Sequence, residues 1–335
     1  MNLLRFYLTK DETYEKKDNN INNIKEFVFQ YMKKVIIIII LLFCFVSFLS
    51  CKNKKKLGAN THFSITDCLS DGNGEKVRVI LLYGQSNATG CSNSMFLKEK
   101  DPKTYEKANK GIDNFYINYC CENGSNSSNN EFVICSLGCG ASKNHFGPEV
   151  GIGLSYQEKG LKCFIIKYSW GGSVLDYQWM NGKYKRGELY KAAINFTKAS
   201  LDYLISKGYV IQIDGICWMQ GEGDSTAKLC DRYYQNTKVF VGFLRDDLST
   251  YQETIDFIDA GISDSPYWIE YKIINEAKIK FSNEDSHNYY FDTIEEGMHY
   301  NQEPVDNPDL AHYDSESEIL LGKLFASILI KWKEE

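Results

Sequence analysis

Apolar residues fall along this chain in two alternating rhythms. Positions 77–83 form a nearly unbroken apolar run, Val-Arg-Val-Ile-Leu-Leu-Tyr, which suits the middle of a parallel sheet covered on both faces. Shorter runs of strand character follow at 132–136, 163–168, 215–219, 255–260 and 289–292. Between them the apolar positions widen to a helical period, over 151–160, 189–207, 230–248, 268–281 and 315–331. Strands alternating with helices predict βαβ units, hence an α/β fold: a three-layer α/β/α sandwich around a central, mostly parallel sheet. The Asn-rich stretch 122–130 is expected to be a surface loop. No second block of composition and no internal repeat interrupts the pattern, so 77–333 reads as one domain.

Ahead of that domain the pattern changes. Lys33 and Lys34 precede an apolar run at 35–49, and Ser50, Cys51 and a group of lysines follow it. A basic pair, an apolar run and a small residue before cysteine make the layout of an export signal. The run is short for a spanning helix, which needs about 20 residues. Phe48-Leu49-Ser50-Cys51 resembles a loose bacterial lipobox, in which Cys51 becomes the lipid-bearing first residue, with Met32 as the start of the signal. The other reading is an uncleaved anchor helix. Both place the domain outside the cytoplasm, attached to a membrane, with 1–51 as extension plus signal or anchor and 52–76 as a polar tether.

Charge and cysteine content narrow the chemistry. Against 38 Lys and Arg stand 44 Asp and Glu, a net charge of -6, so the basic footprint that a phosphate backbone demands is missing and nucleic acid is not an expected partner. The eleven cysteines contain no CxxC pair, which argues against a zinc cage. Most are expected to be small buried apolar residues, and neither metal nor organic cofactor is expected.

In an open parallel sheet the working groups gather at the carboxyl ends of the strands. The first strand runs into Gly84-Gln85-Ser86-Asn87, which presents a serine at a sharp turn before a helix; capping of that helix is the bland alternative. After 163–168 comes Ser169-Trp170-Gly171-Gly172-Ser173, whose paired glycines allow a backbone N–H to approach a ligand atom, or simply make a tight turn. After 215–219 come Gln220-Gly221-Glu222-Gly223-Asp224, one amide and two carboxylates at one rim. A nucleophilic serine needs a base. Of five histidines, His62 lies in the tether and His145 in a glycine-rich loop. His287, His299 and His312 each have an acid three positions earlier, Glu284, Glu296 and Asp309. That spacing lets one turn supply both the imidazole and the carboxylate that fixes its tautomer. Spacing does not choose among the three; position does, because Asp309 and His312 directly precede the last amphipathic helix.

These blocks together resemble the SGNH-hydrolase superfamily, and within it the sialate O-acetylesterase-like group related to carbohydrate esterase family 6. The matching pieces are GQSN at 84–87, FGPE at 146–149, KYSWGGS at 167–173, WMQGEGD at 218–224 and DLAHYD at 309–314. The resemblance implies a flavodoxin-like SGNH-hydrolase fold and a serine esterase that removes acetyl groups from a carbohydrate such as sialic acid or xylan. It implies Ser86 as nucleophile, His312 as base and then acid, and Asp309 as its orienting partner. It implies an oxyanion hole from the N–H of Ser86, that of Gly171 or Gly172, and the Gln220 side chain. Gln85, Asn87, Glu149, Glu222 and Asp224 are expected to support the cleft by hydrogen bonds. Trp170 departs from the pattern by its bulk and favours a short acyl group. Two rivals stay open: a lipase- or thioesterase-like member acting on longer chains, and a surface lipoprotein that binds glycans without turnover.

Overall fold

The computed structural model describes residues 69–182 and 184–331. The signal or anchor segment, Cys51 and His62 lie outside the described residues. So does most of the tether. In chain order the elements are β1 (Lys76–Gly84), α1 (Ser86–Thr89), β2 (Ser92–Asn93), α2 (Ser94–Lys100), α3 (Pro102–Asn109), β3 (Phe115–Cys121), β4 (Asn126–Ser127), β5 (Val133–Ile134) and β6 (His145–Phe146). There follow α4 (Pro148–Glu158), β7 (Cys163–Ser169), α5 (Glu188–Ser206), β8 (Val210–Met219), α6 (Cys230–Leu248), β9 (Phe257–Ala260), α7 (Tyr271–Ser282), β10 (Asn288–Phe291) and α8 (Ser315–Lys331).

The sheet runs β10-β9-β8-β1-β7-β3, all parallel, with the short β4 and β5 antiparallel on β3. β1 stands in the middle because its side chains from Val79 to Tyr83 are wholly buried, as a strand covered on both faces requires. Alternate side chains reach opposite layers. Tyr168 meets Phe196 of α5, Trp218 meets Phe240 of α6, and Phe257 meets Phe281 of α7 on one face. Lys167 meets Glu149 of α4, and Phe291 meets Phe325 of α8, on the other. The chain leaves β1 toward β3 on one side and leaves β8 toward β9 on the other, so a crevice opens at the carboxyl ends of β1 and β8.

Two elements differ from expectation. The run at 132–136 yields only the two-residue β5, and the second long strand is β3 instead. Its sequence, FYINYCC, is broken by Asn118, which the fold buries by bonding it to Ser200 and Ser128 at 3.0 and 2.7 Å. The strand expected at 215–219 begins earlier, at Val210, with Asp214 as an extra residue where the pairing with β1 shifts register. Asp214 accepts from the Tyr156 hydroxyl at 2.6 Å, so a carboxylate can sit inside a strand. Residues 69–75, read as tether, lie on the domain: the N–H groups of Gly72 and Gly74 donate to Lys207 and Gly208 at 2.7 and 2.8 Å. Among the described residues no helix is long and apolar enough to cross a membrane.

Candidate active site

The turn after β1 admits only glycine at its first position. Gly84 has φ +147°, and a Cβ there would lie 1.9 Å from the Met219 carbonyl oxygen. That close approach seats the turn against the end of β8, and the Gln85 N–H donates to the same carbonyl at 3.0 Å. Ser86 then opens α1. It is 8% exposed, and its hydroxyl makes no hydrogen bond to another described residue. Neither Ser86 nor Asn87 caps the helix; that position belongs to Gln85, whose side chain makes no cap bond.

Asn87 reaches in two directions. Its Nδ2 donates to Glu222 Oε1 at 2.7 Å, and its Oδ1 accepts from the Tyr313 N–H at 3.2 Å. Ser92 Oγ donates to the Tyr313 carbonyl at 2.6 Å. The segment that bears Ser86 is thereby bonded to the segment that bears His312, although the two lie more than two hundred positions apart. His312 Nδ1 lies 2.7 Å from Asp309 Oδ2, and a carboxylate only accepts, so Nδ1 carries the proton. Burial pulls the imidazole's pKa down, but bonds to Asp309 and to the Cys91 thiol outweigh it and raise it to about 10. The Asp309 carboxyl is held below its usual value, chiefly by His312.

The other histidines are placed elsewhere. His287 Nδ1 pairs with Asp256 at 2.7 Å, while Glu284 bonds Tyr234 and Lys238. His299 is exposed, its N–H bonded to Ser317. His145, read as an ordinary loop residue, sits near enough to His312 for that charge, after burial, to lower its own pKa.

The supporting polar groups form ties between the blocks. Gln85 Oε1 accepts from the Gly223 N–H at 3.0 Å, which joins the first block to the third. Asp224 accepts from Leu175 N–H at 2.7 Å, which joins the third to the second; burial raises its carboxyl to about 6. Burial also raises Glu222, whose Oε2 has no partner. Glu149 and Lys167 are both fully buried and 2.6 Å apart. The Lys167 ammonium also donates to the carbonyls of Thr89 and Cys139 at 2.7 and 3.0 Å, pinning the end of α1 to the glycine-rich loop.

Two expected oxyanion donors are otherwise engaged. Gln220 is fully buried, and its amide nitrogen faces Asp224 at 2.7 Å, the Ser173 carbonyl at 3.1 Å and Gln85 at 3.3 Å. The Tyr233 hydroxyl and the Lys278 ammonium donate to its backbone carbonyl at 2.9 and 2.7 Å. The Gly171 N–H donates to Glu122 Oε1 at 2.6 Å. Of the paired glycines, that leaves the Gly172 N–H as the candidate donor beside that of Ser86. Sequence reasoning missed Cys91, Glu122 and Lys278; Lys167 alone left a visible sign, a charge inside an apolar run. Among the described residues no group of three His, Cys, Asp or Glu side chains could hold a metal ion.

Several solved structures share the fold. A protein from Arabidopsis thaliana superposes with a TM-score of 0.55 at 15% identity, over 76% of this chain and 97% of its own. NanS gives a TM-score of 0.55 at 15% identity, over 80% of this chain and 100% of its own. A carbohydrate acetylesterase from Xanthomonas citri gives 0.50 at 14% identity, over 75% and 55%. No curated protein matches the sequence. The family model described as carbohydrate esterase, sialic acid-specific acetylesterase matches residues 76–331. That span takes in every strand of the sheet and every block of the cleft, and the chain therefore belongs to this family of carbohydrate O-acetylesterases.

Proposed function

We propose that the chain cleaves O-acetyl esters on a glycan, with O-acetylated sialic acid as the first candidate, through an acyl-serine intermediate. Ser86 Oγ attacks the acetyl carbonyl while His312 Nε2 takes its proton. The N–H groups of Ser86 and Gly172 receive the oxyanion. The sugar oxygen leaves with the proton from His312, and water then frees acetate by the same steps in reverse. Asp309 keeps the imidazole in the tautomer that leaves Nε2 toward the serine. The observation that carries this reading is the pair of bonds from Tyr313, next to His312, to Asn87 and to Ser92, which tie the His312 loop to the segment that begins at the Ser86 turn.

Ser86→Ala should abolish hydrolysis of an aryl acetate and release of acetate from O-acetylated sialic acid, with an unchanged circular dichroism spectrum. Full activity in that variant would remove the assignment. The same reading includes an extracytoplasmic, membrane-attached enzyme with lipid on Cys51, supported by the apolar run and the Ser50-Cys51 pair.

A further inference from the structure

A carboxylate outside the three strand-end blocks reaches the rim of the cleft. Glu122 follows the last residue of β3, Cys121, which pairs with Ser169 at the end of β7. Its Oε1 accepts two bonds. One comes from the Gly171 N–H at 2.6 Å. The other comes from the hydroxyl of Thr89, which shares its proton between this oxygen at 3.4 Å and the Ser169 hydroxyl at 2.9 Å. Thr89 closes α1, the helix that Ser86 opens, so a single oxygen joins that helix to the turn after β7.

The backbone is strained to put the carboxylate there. Glu122 has φ +50°, in the left-handed region that burdens any residue with a Cβ. Of the six non-glycine residues in that region among the described residues, four are asparagine, whose short side chain tolerates it. Glutamate has no such local remedy, and a residue held in that conformation points to a use for its side chain.

The turn it grips has little of its own to fix it. The Trp170 N–H donates to the Gly84 carbonyl at 3.1 Å, and the Ser173 N–H returns to the Trp170 carbonyl at 3.2 Å. Residues 170–173 are therefore a β-turn around two glycines. A Cβ on Gly171 would lie 2.7 Å from Glu122 Oε1, so the first glycine makes room for the carboxylate. Gly172 has φ +63°, and its N–H belongs to the central peptide of the turn, whose rotation separates one turn type from another. With glycine on both sides, no Cβ contact selects one setting of that peptide.

We propose that Glu122 is a positioning residue of the oxyanion site. By holding Gly171 to the end of α1, it keeps the Gly172 N–H aimed at the same point as that of Ser86. It acts through the turn and not on the substrate, and it rests on the acyl-serine reading of the cleft. The two N–H groups lie on separate segments, and they stabilise an oxyanion together only where both point.

The full-length protein is compared with Glu122→Ala, Glu122→Gly and Glu122→Gln by steady-state hydrolysis of an aryl acetate and by thermal melting. The Ala and Gly variants should lose about 100-fold in kcat, the low end of what a missing oxyanion donor costs, with KM little changed. Glu122→Gln keeps an oxygen in place and should return to within about threefold of the native rate. Glu122→Gly also relieves the strained φ, so its melting temperature should stay within about 3 °C of the native value while its kcat stays low. A merely structural role would lower the two together. Full activity in the Ala and Gly variants, a Gln variant as slow as Ala, an effect on KM alone, or a kcat that falls only as Tm falls overturns the assignment. A variant faster than the native protein overturns it as well, by showing that the carboxylate blocks the site. Ser86→Ala keeps the two readings apart: its full activity would remove the acyl-serine mechanism, whereas an inactive Ser86→Ala beside a fully active Glu122→Ala removes only the role of Glu122.

Discussion

At His312 two forces oppose each other and the stronger one sets the working pH. Burial favours the neutral ring, but Asp309 and Cys91 favour the charged one, and the pKa rises from 6.5 to about 10. Only the neutral ring can accept the serine proton, so kcat/KM should climb with pH and level off well above the ordinary imidazole range. An acid limb at or below 6.5 in a rate profile between about pH 6 and 11 would contradict this. The stability linkage runs the other way. The fold binds this proton more tightly than the unfolded chain, so the contribution is full below 6.5 and fades as pH rises to about 10. The pair itself was legible in the sequence, since three residues separate Asp309 from His312. Cys91 was not, because nothing in its local pattern tells a thiol against the Ser86 carbonyl from one facing aliphatic carbon. Nor were the partners of Gln220 legible, because Gln85, Ser173 and Asp224 reach it from three separate stretches of the chain or across a turn.

The elements were readable where their boundaries are local. α6 runs from Cys230 to Leu248, the span its apolar period marks, and β1 exceeds its apolar run by one residue at each end. β3 stayed hidden because the partners that satisfy Asn118 come from α5 and from the loop after β4, which no window of sequence contains. Lys167 lies between these cases. It sits in the apolar run of β7, and its charge is tolerated because α4 supplies Glu149 on the same face. Removing one member of a fully buried pair leaves the other uncompensated, which typically costs about 3–5 kcal/mol. Lys167→Met should lower unfolding stability by that amount in urea titration, and Glu149→Gln in the same chain should recover part of it. A change under about 1 kcal/mol would mean the pair is not buried as drawn.

Across the whole molecule, the cleft is assembled from turns after β1, β3, β7 and β8 and from the loop before α8, so it exists only when the sheet is complete. Residues 69–75 clasp the turn at 207–209 through backbone bonds, and the Val210 N–H donates to Glu75 at 2.9 Å. A chain beginning at Leu69 keeps this clasp. One beginning at Lys76 should lose about 2 kcal/mol, from a few backbone bonds worth about 1 kcal/mol each, and keep its kcat. Equal stability of the two would show the clasp to be idle. Behind the sheet α4 and α8 cross with backbone almost touching backbone: a Cβ on Gly322 would lie 2.1 Å from the Pro148 carbonyl oxygen, and one on Gly151 2.1 Å from that of Ile319. The imidazole rides on the segment leading into α8, so the bare crossing acts as its gauge block. A single methyl wedged there would push α8 off α4 and carry the His312 segment with it, detuning the enzyme although no residue that faces the substrate had been changed.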